Sequence, residues 1–312
     1  MKAKFALLSL TAAIFTFSAF VFAEAKTDDQ PQTVRDLYPT LTSGALSRAV
    51  LKDLPDGILL KAGGLEFTSE SISKIIDSQP EQGREDFKKN AFFILEQEAT
   101  GKLLLDLAQK TSAPSGKESP APEESALLQQ FFEKEVFKTI DVTADEMKAF
   151  YENNKEMCGG ATLEQVGSSI KDYLADQKKQ KMASEYIQTL GQRIPMQISA
   201  DWVSKQAVLA FDNPVDKARQ SKQPSMVDFG ADGCKPCDMM TPILKTLGEK
   251  YAGKANVLFV HVRRQQVLAS RYGIQSIPVQ VFFDADGKEV FRHVGFLAQD
   301  EVEKKLKEIG VQ

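Results

Sequence analysis

Between Ser225 and Ile309, short apolar runs alternate with amphipathic helical patterns, and few folds satisfy that alternation. The stretches "SMVDFGA" at 225–231, "NVLFVHV" at 256–262 and "VQVFF" at 279–283 each read as a buried strand. They are short, rich in Val and Phe, and bounded by turn residues. The turn "DADGKE" then leads into a returning strand, "VFRHVG". Helical patterns occupy 238–251, 265–272 and 300–309. Strands alternating with helices, then a hairpin, then a last helix, predict a small α/β domain.

The remainder of the chain reads differently. Lys2 and Lys4 precede an uncharged, mostly apolar run from Phe5 to Phe22, and Ala23 and Ala25 stand where a signal peptidase cuts. This predicts a secretory signal peptide over 1–23. An uncleaved anchor is the alternative, since the run approaches the roughly 18 residues of a membrane span. Residues 24–45 are polar without periodicity and read as a linker. Two apolar stretches flanking Gly63-Gly64 predict a hairpin, and Thr68 then caps a helix through Ile72 and Ile76. Apolar residues recur at helical spacing from Glu85 to Lys110 and again from Ser125 to Phe137. Between them lies "TSAPSGKESPAPEES", too poor in apolar residues to order itself, so 111–125 is expected to be a flexible loop. Thr143 with Glu146, and Thr162 with Gln165, have capping-box spacing ahead of two further helices.

A chain of 312 residues favours two domains over one. The expectation is a multidomain protein, with a mostly α-helical domain over 46–200, a linker over 201–224 and an α/β domain over 225–312. The formal net charge of −4 and the absence of a basic–aromatic stripe give nucleic-acid binding no support.

Two of the three cysteines, Cys234 and Cys237, stand where the first strand of the α/β domain gives way to a helix. Zinc would need four ligands, and the only histidines, His261 and His293, sit in expected strands at spacings that fit no usual zinc pattern. No metal is therefore expected. A purely structural disulfide would close so short a loop that it gains little stability. Cys158 is left over, either a part-buried turn residue or a third redox thiol.

Residues 215–311 resemble a thioredoxin-like domain. The resemblance rests on "MVDFGADGCKPC", on "MMTP" in the following helix, on "YGIQSIPVQVFF" and on Gly295 in "HVGF". It implies that Cys234, at a helix N-terminus that stabilises a thiolate, is the exposed nucleophile, and that Cys237 resolves the mixed disulfide. It implies a cis Ile277-Pro278 bond facing the sulfurs, with the Ile277 backbone free to pair with a substrate strand. It also makes Asp228 a buried carboxylate below Cys237 that helps move its proton, and Pro242 a kink in the active-site helix. Lys235 and Pro236, between the cysteines, join Ile277 and Pro278 as the expected substrate contacts. Lys235 adds a positive charge beside Cys234, and Pro236 suits a first helical turn. Three residues depart from the family pattern. Gly230 and Gly233 stand where Trp is usual, and Phe259 stands where the family has a buried Lys.

Residues 57–200 resemble the chaperone segment of SurA-like exported prolyl isomerases. The marks are the hairpin-then-helix start, "VTADEMKAFYENNKEMCGGATLEQV" and "YLADQKKQKMASEYI". "ENNKEM" runs straight into "CGGATLEQV", which leaves no room for the parvulin-type isomerase domain. The resemblance then implies binding of unfolded or extended chains without isomerase activity. The whole predicts an exported, periplasmic thiol–disulfide oxidoreductase that acts on protein thiols and disulfides without a cofactor and exchanges electrons with a membrane redox partner. The helical domain holds the substrate or mediates self-association into a homo-oligomer. The alternative is a non-catalytic chaperone or adaptor that uses the thioredoxin-like domain as a binding module.

Overall fold

The computed structural model describes residues 31–42, 44–111 and 123–312. The leader expected at 1–23, and residues 112–122 of the loop expected at 111–125, lie outside the described residues. Residues 32–312 form one compact unit.

The chain enters through a short helix, α1 (Val34–Leu37), and a strand, β1 (Val50–Lys52). Among its described residues, the linker expected over 24–45 is therefore folded from residue 33 onward. Val34, Leu41 and Ala45 are buried, each held by distant residues of the first core and not by a local pattern. The expected hairpin is β2 (Ile58–Ala62) and β3 (Leu65–Thr68). Gly63 and Gly64 turn it at φ +59° and +86°, the left-handed geometry a two-residue hairpin loop needs. Thr68 caps α2 (Ser69–Asp77), its Oγ1 accepting the Ser71 N–H at 3.2 Å.

The single helix expected over 85–110 is two, α3 (Arg84–Lys89) and α4 (Ala91–Thr111). Asn90 divides them. Its side-chain amide donates to the Asp86 carbonyl at 2.8 Å, which offers the backbone an alternative to continuing the helix. In α4, Phe92, Leu95, Ala99 and Leu103 form one buried stripe at spacings of three and four. Next come α5 (Glu124–Phe131), a π-helical turn over Phe132–Val136, and α6 (Ala144–Asn153). The 31-residue α7 (Leu163–Arg193) spans about 46 Å. Of its length only Gly167, Ile170 and Leu190 are buried.

After α7 the chain returns through β4 (Met196–Ser199). β4 lies between β1, to which it runs parallel, and β2, to which it runs antiparallel. The helical region thus contains a four-stranded sheet ordered β1-β4-β2-β3, where only a hairpin was expected. The segment expected as a linker over 201–224 is also ordered, as α8 (Ala200–Ala210) and α9 (Pro214–Gln220). Val203, Ala207 and Ala210 of α8 pack into the first core, and Val215 of α9 into the core of the following region. The polarity that suggested a linker is only in part the solvated face of α9, Lys217 and Gln220, since Asp216 is buried.

The C-terminal region follows the predicted alternation: β5 (Ser225–Gly230), α10 (Lys235–Lys250), β6 (Asn256–His261), α11 (Gln266–Arg271), β7 (Val279–Phe283), β8 (Glu289–Val294) and α12 (Gln299–Glu308). The sheet order is β6-β5-β7-β8, with β5 parallel to β6 and antiparallel to β7. All six residues of β5 are buried because helices cover both faces. Alternation assigns the faces. Met226 joins Met240, Leu247 and Leu306 on the α10–α12 side, while Val227 and Phe229 join Leu268 and Tyr272 on the α11 side.

The two regions meet around Asp216 of α9, which is wholly buried. Its carboxylate accepts from Arg271 Nη2 at 3.0 Å and from the Tyr272 hydroxyl at 2.8 Å. Arg271 also donates Nη1 to the Ala210 carbonyl at 2.9 Å and to Asn90 Oδ1 at 3.1 Å, so one guanidinium ties α9 to the α3–α4 corner. Removing one partner of a buried ion pair leaves an uncompensated charge. Arg271→Leu is expected to lower the unfolding free energy by about 3 kcal/mol, read as a fall in the urea midpoint. An unchanged midpoint would mean that Arg219 takes over the charge.

Candidate active site

The strand–helix junction assembles the site. Alternation along β5 directs Met226, Asp228 and Gly230 to the α10 side of the sheet. Gly233, at φ +74°, turns the chain sharply after β5. Cys234 is the N-cap of α10, and Pro236 lies in its first turn, where a missing N–H leaves no bond unmade. The α10 helix starts three residues earlier than the apolar pattern indicated, so Cys234 caps it and Cys237 belongs to its first turn.

Cys234 and Cys237 are joined as a disulfide with Cα atoms 5.2 Å apart. Cys234 is half-buried and Cys237 is 3% exposed, so the sulfur that can meet a partner is that of Cys234. Lys235 is exposed beside it. The Ile277-Pro278 bond is cis, as the resemblance implied, and the Ile277 carbonyl oxygen lies 3.9 Å from Cys234 Sγ. Pro278 is buried, and its carbonyl accepts the Gly295 N–H at 2.8 Å. The structure therefore brings Cys234, Cys237, Ile277, Pro278 and Gly295 to one end of the sheet.

Asp228 is fully buried and opposite Gln280 in the β5–β7 register. Gln280 Nε2 donates to Asp228 Oδ1 at 2.7 Å, while Asp228 Oδ2 has no hydrogen-bond partner. Burial pushes the Asp228 carboxyl up from 3.8 to about 6, against the lowering effect of the Gln280 hydrogen bond. The free oxygen and Cys237 both border the space beside Gly230. A Cβ placed on Gly230 would lie 3.5 Å from Asp228 Oδ2 and 3.4 Å from Cys237 Cβ.

The same position explains two of the departures. A Cβ on Gly230 would sit 2.9 Å from Phe259 Cε2, inside van der Waals contact. Phe259 pairs with Asp228 across β5 and β6. The aromatic bulk absent from 230 is supplied by 259 on the neighbouring strand. Because Phe259 carries no charge, the buried carboxylate has no cation beside it.

Sequence reasoning missed Gln280 and the Asp232–His261 pair. Gln280 is the one amide in the otherwise apolar "VQVFF", and that is the signal that could have found it. His261 Nε2 lies 3.0 Å from Asp232 Oδ2 and ties the loop before Cys234 to the end of β6. This contact holds the exposed Asp232 carboxyl below the usual range. Cys158 lies between α6 and α7, its Sγ 3.4 Å from the Asn154 carbonyl, and it is unpaired. Among the described residues no three His, Cys, Asp or Glu side chains cluster as metal ligands, and no helix is long and apolar enough to cross a membrane.

Comparison with known proteins places the same residues in a family. A model described as a thioredoxin-like domain matches residues 211–310, which include α9 and so begin before the boundary expected at 225. Thioredoxin of Borreliella burgdorferi is 33% identical over 108 residues, covering 35% of this chain and 90% of the relative. Thioredoxin of Staphylococcus aureus is 35% identical over 96 residues, covering 31% of this chain and 86% of the relative. Among solved structures, an asparagine-to-glutamine mutant thioredoxin from Halobacterium salinarum is 33% identical, covers 31% of this chain and 83% of that one, and gives a TM-score of 0.29. The family match, the two curated relatives and the Cys234–Cys237 pair support a thiol–disulfide redox role at a general level. With nearly the whole length of each curated relative spanned by its C-terminal region, the chain belongs to the thioredoxin-like family.

Proposed function

We propose that the protein is an exported thiol–disulfide oxidoreductase acting on protein substrates through Cys234 and Cys237. The observation that carries this is the half-buried Cys234 at the head of α10, with the Ile277 carbonyl 3.9 Å from its sulfur and the buried Asp228 carboxylate on the Cys237 side. A reduced Cys234 gains from the free N–H groups and positive dipole end of α10 and attacks a substrate disulfide as the thiolate. The Ile277 backbone, with Pro278, Lys235 and Pro236 around it, meets the substrate chain. Cys237 then resolves the mixed disulfide as Asp228 takes its proton. The apolar run near the N-terminus supports export to an oxidising compartment, the bacterial periplasm, where a membrane partner would reset the couple. The helical region, SurA-like in its sequence marks, would hold the substrate.

The test is the reduction potential of the Cys234–Cys237 couple, equilibrated with glutathione buffers in a Cys158→Ala background. A value near −270 mV, about that of thioredoxin, assigns a reductase; one near −120 mV, about that of DsbA, assigns an oxidant. A couple below roughly −300 mV that glutathione does not reduce would be a structural disulfide and would overturn the proposal.

A further inference from the structure

A cleft of about 1490 Å³ lies between α7 and the C-terminal sheet. Its volume exceeds the roughly 300–1000 Å³ of a small-molecule pocket. One wall is β8, the edge strand of the sheet, whose outer side pairs with no other strand among the described residues. Glu289, Arg292, His293 and Val294 of β8 all line the cleft, so it follows most of the strand. The facing wall is the polar side of α7. Gln177, Gln180, Ser184 and Gln188 recur there at spacings of three and four, with Asn153 and Asn154 of the α6 end beside them. This face explains why so long a helix buries so few of its residues.

The cleft leads to the disulfide. Gln275 and Ser276 line it and immediately precede Ile277, whose carbonyl lies 3.9 Å from Cys234 Sγ. Val294, also in the lining, pairs with Val279 next to Pro278. A chain crossing Cys234 can therefore continue into the cleft without turning away from the sheet. Charges of both signs occur along it, including Asp176, Lys181 and Glu185, so no single net charge is selected.

We infer that this cleft holds the extended polypeptide segment flanking the substrate's reacting cysteine, added as a strand to the edge of β8 and bonded from the other side by the amides of α7. The inference rests on the proposed oxidoreductase function. A free strand edge and a row of side-chain amides recognise main-chain N–H and C=O groups, which every sequence carries. The six residues of β8 match a segment of about six residues, or about 20 Å. The substrate class is thus an unfolded or locally unfolded chain, not the surface of a folded domain.

The test uses the full chain carrying Cys158→Ala and Cys237→Ser, so that Cys234 is its one thiol. It is offered a 14-residue peptide whose central cysteine is disulfide-linked to thionitrobenzoate and which carries benzoylphenylalanine five residues from that cysteine. The Cys234 thiolate attacks the peptide sulfur; the Cys234–peptide disulfide forms, the peptide–thionitrobenzoate bond breaks, and the coloured thiolate leaves. Irradiation and peptide mapping are expected to place adducts in residues 173–188 and 289–294. Trapping is expected to be at least tenfold faster for this peptide than for a blocked tripeptide, and Ser184→Trp on the exposed face of α7 is expected to bring that ratio close to one. Adducts confined to 231–240, with a ratio that Ser184→Trp does not change, would overturn the inference and leave the oxidoreductase intact. No thiolate release with either peptide would sink both.

Discussion

Cys234→Ser is expected to reduce thiol–disulfide exchange by more than about 10³-fold, because the nucleophile is a thiolate and serine has none to offer. Cys237→Ser is expected to fail differently. Cys234 is the half-buried member of the pair and Cys237 the buried one, 3% exposed. The variant keeps its attacking sulfur and loses the one that releases the product. It should therefore consume one equivalent of substrate disulfide and stop with the substrate attached, visible as a shift on a non-reducing gel that dithiothreitol reverses. The asymmetry is the informative part. Two cysteines in a merely structural clip would give two similar, destabilised variants, and neither would trap substrate. A chaperone or adaptor would keep its function in Cys234→Ser, so suppression of aggregation of an unfolded client, measured beside exchange, separates the two activities. Retention of exchange in Cys234→Ser would overturn the assignment of roles.

The C-terminal region was legible because its signals are local. "SMVDFGA", "NVLFVHV" and "VQVFF" each carry enough apolar residues to mark a strand, and the observed β5, β6 and β7 match them within about a residue. The motif around Cys234 likewise lies within one turn of chain. What was missed is held together by distance in sequence. β4 is four residues long, follows a proline, and has only Met196 and Ile198 to show a period. Its place between β1 and β2 is fixed by partners some 140 residues away in the register, where no window of sequence can see them. The segment 201–224 was read as a linker for a related reason. Its polar residues include Asp216, which is buried only because Arg271 and Tyr272 arrive from α11 and the residue after it to meet its charge. A sequence pattern scores a buried aspartate as surface until its partner is known. The cleft was invisible for the same reason: α7 showed an amphipathic pattern, but nothing in it says that its polar face looks onto a sheet edge.

Asp228→Asn is expected to stabilise the oxidised protein at pH 8 while slowing its chemistry, and the two effects share one cause. Burial raises the Asp228 carboxyl from the ordinary 3.8 to about 6. Between those values the folded protein binds a proton that the unfolded chain does not, so stability is full below pH 3.8 and is lost as pH rises through 6. The difference corresponds to about 3 kcal/mol of stability absent at pH 8. Asparagine cannot ionise, and its Oδ1 can still accept from Gln280 Nε2 as the carboxylate does. Urea unfolding of wild type and Asp228→Asn should therefore give similar free energies near pH 4 that diverge as pH rises to about 6 and stay apart by a constant amount to pH 8, with the variant the more stable. Parallel curves from pH 4 to pH 8 would mean that the carboxylate reaches water after all. Activity runs the other way. On the proposed mechanism the ionised Oδ2 takes the Cys237 proton above pH 6, so resolution of the mixed disulfide should rise through pH 6 in the wild type. In Asp228→Asn it should be about 10²-fold slower, with no inflection there. The departure at Phe259 sharpens both predictions. Where a buried lysine would neutralise the carboxylate, this chain places an aromatic ring, and the charge that Cys237 needs is left without compensation. Phe259→Lys should lower the Asp228 inflection below 6 and recover part of the stability lost at pH 8, which the same two titrations would measure.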